Sequence, residues 1–132
     1  MGLAEKKIQA EFADKRIPDG IKSYAEATQG ATKDIKVEID WASFGDDKRA
    51  HESLWAIWEQ PFQALQASCE DETGRAAVKK GVKKIVIKNV SADKAVATEF
   101  KGGVLTVSMN AGNGASGTPG HYEIQKVVES GL

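Results

Sequence analysis

Gly112, Gly114 and Gly117 spell G-x-G-x-x-G within the run Asn110–Gly120. In dinucleotide-binding folds this spacing lets the backbone approach a pyrophosphate at a helix N-terminus. Here only 15 residues follow Gly117. That is too few for a helix, a returning strand and an acidic ribose ligand. Pro119 keeps the third glycine out of a regular helix, and the run holds no Lys or Arg to meet a phosphate. The plainer reading is a flexible Gly-rich loop over 110–120. The sharper one is a small-ligand or anion site made by Gly112, Gly114, Gly117, Gly120 and His121 ahead of a last helix.

His51-Glu52 matches the start of the zinc motif H-E-x-x-H, but Trp55 stands where the second histidine belongs. The ligand count fails, and no metal or cofactor is implied. Cys69 as a nucleophile needs a basic neighbour and exposure. It precedes Glu70, Asp71 and Glu72 instead, which raise a thiol pKa, so it reads as a small apolar core residue. No nucleophile–base pair and no carboxylate pair in an apolar setting stands out. The chain therefore leans away from an enzyme. A catalytic role for His51 with Glu52, or for His121, is the third-ranked reading.

Two groups of residues point to partners. Lys79, Lys80, Lys83, Lys84 and Lys88 form a local basic cluster without aromatic interleaving. It reads as a solvated face or as a surface for an acidic partner, with Lys84 and Lys88 on one strand. Trp41, Trp55 and Trp58 with Phe44 and Phe62 read as core, and three tryptophans in so small a domain leave room for one of them to serve outside it. Trp55 lies at the edge of the apolar stripe and is the candidate anchor for a protein partner or self-association.

Composition bounds the rest. The chain has 132 residues, 41% hydrophobic and 28% charged, with a formal net charge of −1. It reads as one domain, 1–132, able to build a core without metal or disulfide. A near-neutral charge argues against nucleic acid as a partner. One cysteine and no long apolar run suggest a reducing, cytoplasmic setting and no membrane span.

These residues need elements to position them. Lys33–Ala42 alternates, with Ile35, Val37, Ile39 and Trp41 on one side. That predicts a half-buried strand over 34–42. Residues 82–90, 95–100 and 104–109 are rich in β-branched residues, and the last two are joined by Lys101-Gly102-Gly103. They read as a β-meander. Helical periodicity predicts helices over 3–14, 20–29, 47–68, 70–80 and 120–130. Pro18 separates the first two, and Pro61 kinks or breaks the third. Residues 1–30 read as a helical segment, loosely packed. The expected fold is a two-layer α+β sandwich with a four-stranded, mostly antiparallel sheet. The crossover before residue 82 allows the first two strands to run parallel. The function expected is that of a small protein-interaction or binding domain.

Overall fold

The computed structural model describes residues 1–132. Four strands form one sheet, in the order β1-β2-β4-β3. They are β1 (Lys36–Ile39), β2 (Lys84–Asn89), β3 (Ala97–Lys101) and β4 (Val104–Met109). β1 runs parallel to β2 and β2 parallel to β4; only β3 is antiparallel, to β4. The α+β layering holds, but the sheet is mixed rather than mostly antiparallel, and β2, β3 and β4 are not a meander. The cause lies in the link Val90–Val96, which holds a 3-10 turn at Asp93–Ala95. This link is long enough to set β3 two strand positions from β2, about 10 Å away. The Gly102-Gly103 turn, with φ of 60° and 80°, then sends β4 back into the gap. The buried run Ile85-Val86-Ile87 on β2 marks this interior position.

The register sorts the two faces. Val37, Ile85, Leu105 and Phe100 align across the sheet, and Ile39, Ile87, Val107 and Thr98 form the next row. Ile85, Ile87, Leu105, Val107 and Met109 are fully buried on this side. Each such side chain contributes roughly 2 kcal/mol of transfer free energy. The opposite face carries the rows Lys36, Lys84, Val104, Lys101 and Glu38, Val86, Thr106, Glu99. The helices cover the apolar face alone, and one cluster of 23 buried residues joins them to it.

The N-terminal segment is one unbroken helical rod. α1 (Leu3–Glu11) passes through a π-turn, Phe12–Arg16, into α2 (Ile17–Ala27). Pro18 was expected to end a helix near residue 14. Instead the Ile17 N–H donates to the Phe12 carbonyl five residues back. The ladder thus shifts register where the proline has no N–H to give. The rod is packed, not loose. Phe12 stands edge-on to Trp41 and Trp58, both at 5.9 Å between centroids. Tyr24 stacks on Phe62 at 5.0 Å. Gly20 leaves room for the Trp58 ring, which a Cβ there would strike.

The predicted helix 47–68 is two helices, α3 (Lys48–Ser53) and α4 (Gln60–Ser68), with a 3-10 turn at Leu54–Ala56. Pro61 sits in the first turn of α4, where its missing N–H costs nothing. Asp47 caps α3 through the Ala50 N–H at 2.9 Å, and Asp71 caps α5 (Glu72–Gly81) through the Gly74 N–H at 2.7 Å. α6 (His121–Gly131) packs on α4 and β3.

Candidate functional site

The break between α3 and α4 decides what two neighbouring tryptophans do. Trp58 is 3% exposed, in the core, and Trp55 is 60% exposed. Leu54, Trp58, Phe62 and Leu65 are all buried, as their spacing predicts, and Trp55 lies off that stripe. Trp55 forms part of the rim of two adjoining hollows. One, of about 510 Å³, lies between α2 and the Leu54–Glu59 segment and includes Asp19, Gly20 and Glu59. The other, of about 260 Å³, includes Ile8, Phe12, His51 and Glu52. Glu11, Arg16 and Trp55 line both. The π-turn thus forms one wall of the cleft.

The charges around Trp55 are unequally used. Arg16 pairs with Glu11 at 3.2 Å, and its guanidinium carbon lies 5.6 Å from the centre of the Phe12 ring. Asp19, Glu59 and Lys15 have no ion partner. Asp19 and Lys15 face solvent beside the indole, and the half-buried Glu59 carboxylate lies near the Tyr24 phenol. Burial, and then the Glu59 carboxylate, raise the Tyr24 phenol above its ordinary pKa.

His51 is 1% exposed and stacks on Trp41 at an interplanar angle of 2°. Its Nδ1 lies 2.7 Å from the Asp47 carbonyl, which can only accept, so Nδ1 carries the proton. Nε2 then accepts from the Gln9 carboxamide at 3.0 Å. Both ring nitrogens are occupied, and Glu52 points to solvent near Lys48. No group of three His, Cys, Asp or Glu side chains converges as metal ligands would.

The glycine motif folds as 3-10 turns over Ala111–Gly117, at the ends of β2 and β4 and against α3. Several of its polar groups bond to the protein itself. The Asn110 N–H donates to the Gly117 carbonyl at 2.6 Å, and the Ala111 N–H donates to Asn89 Oδ1 at 3.0 Å. The Asn110 and Asn113 carboxamides both donate to Asp93 Oδ1, at 3.0 and 2.9 Å. Gly117 is buried and has to be glycine because a Cβ would strike the Asn110 carbonyl, and Gly114 takes φ of 58°. The charged groups at this loop are the carboxylates of Asp93 and, beside Gly112, Asp47.

Gly120 opens α6, and His121 belongs to a different place. It lines a second cleft, of about 730 Å³, with Gln29, Gln66, Cys69, Arg75 and Tyr122. The structure therefore does not bring Gly112, Gly114 and Gly117 together with His121. Cys69 is 5% exposed, and burial pushes its thiol pKa up against the opposing pull of Arg75. Lys84 and Lys88 stand on the uncovered sheet face, Lys84 paired with Glu38 at 3.0 Å. They share no surface with Trp55, which belongs to the helical layer. Glu11, Arg16, Asp19 and Glu59 were not singled out from the sequence. Glu11, Arg16 and Asp19 meet Trp55 through the helical rod, whose nearest sequence signal was Pro18, read there as a stop, and Glu59 stands four residues after Trp55 at the start of α4. No family model, curated protein or solved structure matches this chain.

Proposed function

We propose that this protein is an interaction domain whose principal docking site is the cleft around Trp55. The observation that carries the reading is a tryptophan 60% exposed between two hollows, on a frame whose other tryptophans are packed. Tryptophan is the residue type most enriched among interface hot spots, and such anchors sit in clefts rimmed by polar groups. The leftover charge supplies the partner's chemistry. Asp19 and Glu59 lack cations and outnumber Lys15, so the complement is a peptide segment carrying Arg or Lys beside an apolar side chain. Such a cation gains both carboxylate attraction and the indole face.

The test is selection of a random peptide library against the immobilised domain. Enrichment of basic-apolar peptides, with affinity lost about tenfold or more in Trp55→Ala and partly in Glu59→Gln, supports the reading. Selection of nothing, or of peptides that bind Trp55→Ala equally well, sinks it. Trp55 is exposed, so its truncation leaves the core intact and the comparison stays interpretable.

A further inference from the structure

The second cleft has a different chemistry, independent of Trp55. It runs between the end of α2, α4, the start of α5 and the first turn of α6, and its volume of about 730 Å³ is that of a small-ligand site. Carboxamides dominate its walls: Gln29, Gln63, Gln66 and Gln125 all line it. Among the side-chain hydrogen bonds, none engages Gln29 or Gln66, and Gln125 uses only its amide nitrogen, on Glu129 at 2.8 Å. The first turn of α6 adds the free N–H groups of His121 and Tyr122, since its ladder begins with donation to the Gly120 carbonyl by Glu123 and Ile124. Its charged residues, Glu70 and Arg75, are one of each sign. The Arg75 guanidinium is already held by the Cys69 carbonyl at 3.2 Å. At the mouth stands Tyr122, 71% exposed, with its ring 4.3 Å from that of His121.

We propose that this cleft binds a neutral saccharide. A pyranose presents hydroxyls that donate and accept at once, and a carboxamide answers both roles from one side chain. Its C–H face is apolar and matches an exposed aromatic ring with a polar tip, as Tyr122 offers. The absence of surplus charge in the lining selects against phosphate and against strongly basic or acidic peptides. The cleft binds the sugar and does not cleave it. Glycoside hydrolysis uses two carboxyl groups across the bond, and Glu70 is the one carboxylate here.

The experiment is an ¹H–¹⁵N titration of the labelled full chain with glucose, galactose, mannose, N-acetylglucosamine, maltose and cellobiose. The readout is the side-chain NH₂ signals of Gln29, Gln63, Gln66 and Gln125 with the amides of His121 and Tyr122. Saturable shifts confined to this set for at least one sugar are expected. They should weaken about tenfold in Tyr122→Ala and fall again in Gln66→Ala. Both positions are exposed, so a folded spectrum is expected for each variant. No saturable shift with any of the six sugars overturns the proposal. So does a shift unchanged by Tyr122→Ala, or a response of these signals to a proline-rich peptide alone.

Discussion

The Ala111–Gly117 loop and the Trp55 cleft are the two places the sequence marks out, and they are built in opposite senses. The loop spends its hydrogen bonds on the protein around it. Asn110, Asn113 and Asp93 close one side, and Asn89 ties its start to β2 and, through Ser43, to the end of β1. The cleft leaves an indole in water and two carboxylates, Asp19 and Glu59, without cations. A glycine spacing states what a backbone is free to do, and the hydrogen-bond inventory states what it has done. Structural glycines are needed where another chain segment approaches, whether that segment is a ligand's phosphate or, as at Gly117, the protein's own carbonyl.

This contrast predicts a ranking of substitution effects. Gly117→Ala drives a methyl into the Asn110 carbonyl and should cost about 3 kcal/mol, read as a lowered urea midpoint. A loss well below 1 kcal/mol would mean that the loop is not the stapled structure described. Asn89→Ala removes the acceptor of the Ala111 N–H, on a fully buried residue, and should cost about 2 kcal/mol. Asp93→Ala frees two carboxamides at the exposed side of the loop and should cost about 1 kcal/mol. Trp55→Ala should shift stability by less than about 0.5 kcal/mol while abolishing peptide capture. A large stability loss there would erase the distinction between the two regions.

The smallest effect is in alkaline solution. Cys69 and Tyr24 both have folded-state pKa values raised above their ordinary 9.0 and 10.0, chiefly by burial. An acid raised on folding contributes stability that is complete below the unfolded value. That stability is lost as pH climbs through the folded one, because the unfolded chain deprotonates first. Denaturant midpoints should be flat from pH 7 to 8.5 and decline above pH 9. In Cys69→Ala the decline should begin about one pH unit later, where Tyr24 starts to contribute.

Much of the frame was legible because burial writes a period into the chain. The stripe Leu54, Trp58, Phe62 and Leu65 is read directly, and so is the alternation that puts Ile35, Val37 and Ile39 on one face. Strand order was not legible. The tight Gly102-Gly103 turn names its own neighbours, whereas the link Val90–Val96 only sets how far β3 can travel, and the alternation on β4 is the same beside either partner. The site was half legible. Trp55 stands out as an aromatic off the stripe, but Glu11 and Asp19 beside it come from the helical rod, which the sequence shows as two pieces, and Glu59 joins them only because the helix breaks after Ser53. Pro18 argues locally for a stop; what overrides it is the burial of Phe12, Gly20 and Tyr24 against Trp41, Trp58 and Phe62.

A π-turn is a helix carrying one residue more than its turns require. Excising Ala13 from Phe12–Arg16 would let the rod close into a regular α-helix, and the cost of that repair would be direction. One residue fewer rotates everything before it by roughly 100° relative to everything after. Ile8 and Gln9 would swing away from His51, while Gly20 and Tyr24 kept their seats on Trp58 and Phe62. The surplus residue works as a phase shifter. It lets one continuous rod present Ile8 and Gln9 to α3 along α1 and Tyr24 to α4 along α2, two neighbours that a uniform pitch could not face at once.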